Sequence, residues 1–136
     1  MRTAILLAVA VCLLPILSAC GRVTITSGAV PDYHTDSFVV APGSYYTVTV
    51  VTKMPAGATG TIEGYFLVDG GNNDVDFRVR SPDGTYLENP GRVRDRFQFH
   101  YTIHEAGPYT FFFDNGFSLF TGKHVILETR AYALSQ

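Results

Sequence analysis

The sequence contains no tryptophan and only two cysteines, Cys12 and Cys20, among its 136 residues. Because both lie near the amino terminus, residues 21–136 contain no cysteine. This absence excludes an intramolecular disulfide, a cysteine-based metal site and a thiol nucleophile from everything after Cys20. A domain formed by residues 21–136 must therefore be stabilised by its hydrophobic core.

Strong charge of one sign is also missing. The sequence has ten Lys and Arg residues and 12 Asp and Glu residues, which gives a formal net charge of -2. No basic patch indicates nucleic-acid binding, so we expect no nucleic-acid partner. No window shows a sustained helical period, and there is no internal repeat or low-complexity segment. These absences favour a single all-β domain.

One apolar stretch, Ala4 to Leu17, follows the positive charge of Arg2. A positive start, a short apolar core and small residues before a cleavage site are typical of a signal peptide. The stretch is shorter than the roughly 20 apolar residues that a transmembrane helix needs. We therefore expect residues 1–19 to be a signal peptide and the mature chain to begin at Cys20.

The apolar stretch ends in Leu17, Ser18, Ala19 and Cys20, followed by Gly21. This segment resembles the lipobox of bacterial lipoproteins. The resemblance implies that the residues around Cys20 are recognised by the signal peptidase and that Cys20 carries covalent lipid, such as palmitate. It places the protein in the bacterial cell envelope, with Gly21 favouring the outer membrane of a two-membrane cell. The alternative is a plain secreted protein with an incidental cysteine.

Residues 20–36 are polar with scattered glycine and proline, and we interpret them as the lipidated cysteine and a flexible tether, with at most a short strand at Val23–Thr26. From residue 37 to residue 134, segments rich in aromatic and β-branched residues alternate with turn signals. The expected strands are Ser37–Ala41, Tyr45–Val51, Thr61–Val68, Val75–Arg80, Thr85–Leu87, Phe97–Thr102, Tyr109–Phe113 and His124–Arg130. About eight short strands with alternating faces predict an antiparallel, jelly-roll-like β-sandwich.

Four motifs carry a family resemblance: Gly64–Val68 leading to the Ser81–Gly84 turn, Phe97–Phe99, Gly107–Asn115, and Phe117-Ser118 followed by Lys123–Val125. In order and spacing they resemble the GOLD (Golgi dynamics) domain. The resemblance implies a β-sandwich with a non-catalytic, protein-binding role, in which Tyr109, Asn115, Phe117 and Ser118 belong to the structural motif. Phe112 stands where the cargo receptors of that family have a disulfide cysteine, so cargo sorting is not implied.

An oxygen-rich turn offers one candidate metal site, formed by Asp69, Asn72, Asp74 and Asp76. Calcium takes 6–8 oxygen ligands, but the spacing does not fit an EF-hand. We favour a simple turn in which glycine and asparagine supply positive φ angles. No other cofactor is expected.

The sequence contains the residue types of a catalytic triad but no catalytic motif around them. Ser118, His124 and Asp114 include the residue types of a triad, but no nucleophile elbow surrounds Ser118, so we expect no enzyme. His100 and His104 would lie about 13 Å apart on one strand, too far to share a metal.

Two segments have alternative interpretations. Phe117, Leu119 and Phe120 could form an exposed patch, although we favour a lid over the core. The alternating Arg92, Arg94 and Arg96 could face an anionic partner, although we favour a solvated strand edge.

Our leading functional hypothesis is a lipid-anchored, non-catalytic module that binds another envelope protein. One alternative is a glycan- or lipid-binding module, with or without calcium at the Asp69–Asp76 turn. The other is an accessory subunit of an envelope enzyme or transport complex.

Overall fold

The computed structural model describes residues 22–26 and 32–133, with side chains from His34 onward. These residues form nine strands and no helix, so no helix in the described ranges could cross a membrane. The strands are β1 (Arg22–Thr26), β2 (Asp32–Val40), β3 (Tyr45–Thr52), β4 (Gly60–Asp69), β5 (Asp74–Arg80), β6 (Tyr86–Arg94), β7 (Arg96–Ile103), β8 (Gly107–Asp114) and β9 (Lys123–Ala133). The signal peptide and the lipobox, with both cysteines, fall outside the described residues.

The strands form two sheets packed face to face. Sheet A has the order β1-β3-β8-β5-β6, and sheet B has the order β2-β9-β4-β7. Every pair is antiparallel except β1 with β3, which run parallel at the edge of sheet A. The prediction of an all-β antiparallel sandwich is confirmed. The parallel edge pair was not predicted from the sequence.

Alternating side chains from both sheets form the core. Tyr109, Phe111 and Phe113 of β8 all point inward and are 2%, 0% and 0% exposed, as alternation predicts. Phe66 of sheet B meets Phe113 edge-on, with ring centroids 5.0 Å apart. Phe77 packs against the same ring at 5.2 Å. This aromatic cluster explains how the domain forms without a disulfide, since each buried ring removes roughly 150–250 Å² from water.

Strand direction separates the connections into two groups. One end of the sandwich, here called the apical end, carries the connections 41–44, 70–73, residue 95 and 115–122. The opposite, basal end carries 53–59, 81–85 and 104–106. Most of the residues singled out in the sequence therefore lie at the apical end.

Two sequence expectations need correction. The flexible tether expected at residues 20–36 is wrong for the described part of that segment, because Arg22–Thr26 form β1, paired with β3, and β2 begins at Asp32 and pairs with β9 along its whole length. β2 is the edge strand of sheet B, and its side chains on the outer face of that sheet, such as Thr35 and Ser37, are exposed to solvent. Polar residues are therefore tolerated there.

Asn89–Gly91 fall between the expected strands Thr85–Leu87 and Phe97–Thr102, where a loop is expected, but they lie within β6, also an edge strand. Proline fits at such an edge because its missing N–H is not needed by a neighbour, and the register of β5 and β6 shifts here.

Candidate functional site

A shallow cleft of 370 Å³ opens at the apical end, between the 70–73 turn and the 115–122 loop. Its lining residues are Gly71, Asn72, Asp74, Arg92, Phe117, Ser118, Thr121 and Lys123. The cleft brings together two groups that are distant in sequence, the oxygen-rich turn and the Phe117-Ser118 motif, since Asn72 and Phe117 are 45 residues apart. The apical end is therefore the first candidate site.

A buried lysine closes the floor of this cleft. Lys123 Nζ donates hydrogen bonds to Asp74 Oδ1 at 2.8 Å and to the Gly70 carbonyl at 3.0 Å. Desolvation alone would raise the pKa of Asp74, but the hydrogen bond and charge of Lys123, together with the charges of Arg92 and Arg94, hold that pKa below its usual value. Gly70 is required here, since it has φ +113° and a Cβ would lie 2.5 Å from the Gly122 carbonyl oxygen.

The Lys123 ammonium is a fixed positive charge beside one of the predicted calcium ligands, Asp74. Asp74 is already paired with it, Asp69 and Asn72 are exposed, and Asp76 lies 3.7 Å from Arg92 Nε. In the part of the chain that is described, no cluster of three or more His, Cys, Asp or Glu residues could hold a metal ion. The simple turn stays our prediction, and calcium binding stays the alternative to it.

Asn115 ties the apical loops together. Its fully buried side-chain amide donates to the carbonyls of Val40 at 3.2 Å, Ala41 at 3.3 Å and Thr121 at 2.8 Å. Its backbone carbonyl accepts from Gly43 and Ser118. Two connections, 41–44 and 115–122, thus meet at this side chain, which is the geometry of a structural residue. Its Oδ1 has no partner, so the amide acts only as a donor.

The other residues of the same motif also hold backbone groups. The Ser118 hydroxyl donates to the Thr121 carbonyl at 2.9 Å and accepts from its amide at 3.1 Å. The Tyr109 hydroxyl donates to the Glu105 carbonyl at 2.8 Å, and desolvation raises the pKa of this tyrosine. The motif therefore fixes a turn at each end of β8.

Ser118, His124 and Asp114, which include the residue types of a catalytic triad, do not form hydrogen bonds with one another. Ser118 binds Thr121, Asp114 Oδ1 accepts from the Gly116 amide, and His124 Nε2 lies 2.8 Å from the Ser37 hydroxyl. The two spaced histidines are also separate. His100 pairs with Glu63 at 3.0 Å, whereas His104 lies beyond the end of β7, 3.5 Å from Thr59.

The lid expected from Phe117, Leu119 and Phe120 is wrong for two of the three residues. Leu119 is 79% exposed and Phe120 92% exposed, because the Asn115 and Ser118 hydrogen bonds fold the loop outward. Phe117 is partly buried, and the Arg92 guanidinium lies 3.6 Å from its ring centroid. Arg92 belongs to the arginine stripe, which does follow a sheet edge, as the sequence indicated.

The outer face of sheet A carries a second candidate surface, which we call the arginine–aromatic ladder: Arg78, Arg80, Phe112 and Tyr86. Both guanidinium groups approach the Phe112 ring, at 5.2 and 5.3 Å from its centroid. Arg80 also lies 5.3 Å from the Tyr86 ring and donates to its hydroxyl at 3.2 Å, which lowers the pKa of that tyrosine. Sequence reasoning missed this ladder, although the alternation of β5 and β8 predicted which residues face outward.

Comparison with known proteins agrees with the motifs. The family model described as "emp24/gp25L/p24 family/GOLD" matches residues 52–133. "Transmembrane emp24 domain-containing protein 5" of Rattus norvegicus is 40% identical over 75 residues, which cover 55% of this chain and 31% of that protein. An uncharacterized membrane protein of Schizosaccharomyces pombe is 29% identical over 96 residues, covering 71% of this chain and 37% of that protein. The chain thus spans about a third of the length of these relatives.

Among solved structures, Aeromonas hydrophila PliG, a periplasmic inhibitor of g-type lysozyme, aligns over 85% of this chain and 100% of its own. The sequence identity is 19% and the TM-score is 0.43.

Proposed function

The chain belongs to the emp24/gp25L/p24 (GOLD) family, and we propose that it is a lipid-anchored module that binds a partner protein through the arginine–aromatic ladder. The domain is non-catalytic and serves protein interaction, as its family membership implies. The relatives named above are membrane proteins of eukaryotes, and each is about three times as long as the matched segment. The lipid anchor, the contact with a protein partner and the location in a bacterial envelope are therefore proposals.

The ladder supports the choice of surface. Arginine and aromatic residues are enriched among the few side chains that carry most of the energy of protein interfaces. Arg80 is already oriented by Phe112 and by the Tyr86 hydroxyl, so binding would cost less side-chain entropy than it would for free arginines. Tyr86 is 49% exposed and so is available to a partner.

Cross-linking in cells followed by mass spectrometry tests this surface. We expect wild-type protein to cross-link to a defined partner, and Arg80→Ala and Tyr86→Ala to reduce the yield at least tenfold. Gln98→Ala is the matched control, because Gln98 is exposed on the outer face of sheet B. Equal losses in all three variants, or none in any of them, would exclude the ladder as the contact.

The proposed anchor rests on the sequence from Leu17 to Gly21 alone. Each methylene buried in a membrane contributes about 0.8 kcal/mol, so two or three acyl chains on Cys20 would make attachment stable without a basic segment. Intact-mass analysis should show a mature chain that begins with acylated Cys20. Cys20→Ala should move the protein out of the membrane fraction, and a wild-type amino terminus elsewhere would contradict the anchor.

A further inference from the structure

Exposed large apolar side chains are concentrated at the apical end. Of the six found among the described side chains, five lie there: Val39, Tyr45, Leu67, Leu119 and Phe120. The sixth, Tyr86, begins β6 at the basal end and belongs to the ladder. Such a one-sided distribution indicates a surface that meets an apolar environment, since scattered exposed residues would be divided between both ends.

The most exposed pair stands on an ordered loop. Asn115 and Ser118 each bind Thr121, and the Ser118 carbonyl accepts from the Gly43 amide at 2.9 Å. These bonds enclose Leu119 and Phe120 in a short, fixed projection. The two side chains therefore need no rearrangement to enter an apolar phase.

The chain itself enters the domain at the same end. β1 runs parallel to β3, with Arg22 opposite Thr47, two residues from the apical start of β3 at Tyr45. Cys20 precedes Arg22 by two residues, and consecutive Cα atoms are 3.8 Å apart, so these two Cα atoms are at most about 7.6 Å apart. A lipid on Cys20 would therefore be joined to the domain by a very short stretch of chain through the apical start of β1.

We propose that the apical end faces the bilayer, with Leu119 and Phe120 inserted among the acyl chains beside the lipid of Cys20. This inference depends on the anchor proposed above and adds a fixed orientation to it. The anchor keeps the loop at a high effective concentration near the membrane, so even a contact of two side chains is enough to orient the domain.

The charges nearby fit an interfacial position. Exposed Arg94 and Arg96 flank Asp95 at the apical corner, and long arginine side chains can reach lipid headgroups while their stems cover apolar surface. In this orientation the sheets stand away from the membrane. The arginine–aromatic ladder, on the outer face of sheet A, then stays open to a partner in the aqueous compartment.

The absence of native tryptophan allows a direct test. Phe120→Trp places a single tryptophan at the loop tip, and Glu105→Trp places one at an exposed basal position outside the ladder. Each full-length variant is purified from the membrane fraction and reconstituted into phosphatidylcholine vesicles with or without spin-labelled lipid. We expect blue-shifted emission and at least a twofold loss of intensity for Phe120→Trp, and neither change for Glu105→Trp.

Other results would overturn the inference. A membrane-bound Phe120→Trp protein with water-exposed, unquenched emission would leave the anchor intact and exclude the orientation. Blue-shifted emission without quenching by spin-labelled lipid would show that a protein covers the loop. A wild-type chain found only in the soluble fraction, with Cys20 unmodified, would exclude both the anchor and the orientation. Equal melting temperatures of the variants and the wild type provide the folding control.

Discussion

Lys123 Nζ lies 2.8 Å from Asp74 Oδ1, and the two side chains are only 3% and 2% exposed. The pair connects the first residue of β9 in sheet B with the first residue of β5 in sheet A. Because the Gly70 carbonyl also accepts from Lys123, the charge has two short hydrogen bonds in place of water. This ion pair links the two sheets beneath the apical cleft.

Removal of one partner should be costly. Lys123→Met leaves the Asp74 carboxylate buried and unpaired, and we expect a loss of about 3–5 kcal/mol in the free energy of unfolding, measured with urea. The double variant Asp74→Leu/Lys123→Met removes both charges and should recover most of that loss. A single variant that unfolds like the wild type would mean that the pair is open to water.

The same pair predicts a pH dependence. The folded-state pKa of Asp74 is lowered, so its contribution to stability is complete above its unfolded pKa of about 3.9 and is lost as the pH falls through the folded value. The free energy of unfolding of the wild type should therefore approach that of Asp74→Asn as the pH falls below about 4. Urea unfolding curves at several pH values measure the difference between the two free energies. A difference that stays constant down to pH 2 would contradict the lowered pKa.

Neighbouring phenylalanines on β8 allow a matched comparison of its two faces. Phe111 is fully buried, so Phe111→Ala should cost about 3–5 kcal/mol. Phe112 points outward beneath the arginines, and Phe112→Ala should cost clearly less. Thermal unfolding of the two variants checks this order, and equal losses would mean that the strand register is wrong.

Reductant should leave the melting temperature unchanged, because no cysteine follows Cys20.

The fold could be predicted because its strands alternate strongly. Val75, Phe77 and Val79 face the core as expected, since one side of each strand is apolar and the other polar. The errors fall on edge strands. In β2 and β6 one side of the strand has no neighbour, so polar residues and proline are tolerated and the alternation signal weakens.

The candidate site could be predicted only in part. Asn115 and Ser118 were identified from a motif whose residues are close in sequence, and the structure shows which backbone groups they bind. The contact of Lys123 with Asp74 joins positions 49 residues apart, which local pattern cannot pair. The ladder was missed for the same reason, since Arg80 and Phe112 meet only when β5 pairs with β8.

Calcium should have little effect on the folded domain. The Lys123 ammonium already binds Asp74 and the Gly70 carbonyl, so a cation entering the turn would meet a fixed positive charge. We expect millimolar calcium to leave the melting temperature unchanged, with magnesium as the control. A rise specific to calcium would indicate binding to the folded state, because such a ligand adds RT ln(1 + [L]/Kd) to stability.

Asn115 should be a structural residue and not a ligand contact. Its side-chain amide donates to carbonyls of Val40, Ala41 and Thr121, so Asn115→Ala leaves buried acceptors without a donor. We expect a loss of roughly 1–3 kcal/mol in the free energy of unfolding. Asn115→Asp should cost more than Asn115→Ala, because a carboxylate would face the same carbonyl oxygens.

Measurement of partner binding distinguishes a structural role of Asn115 from direct contact of Asn115 with the partner. If Asn115 is structural, partner cross-linking by Asn115→Ala should fall only as far as the fraction of folded protein falls, because the side chain is 0% exposed. Thr35→Ala, at an exposed position on the edge strand β2, is the control with an intact apical end. An Asn115→Ala protein that melts like the wild type and no longer cross-links would assign Asn115 to the binding site, because loss of a buried structural donor must lower stability before it lowers binding.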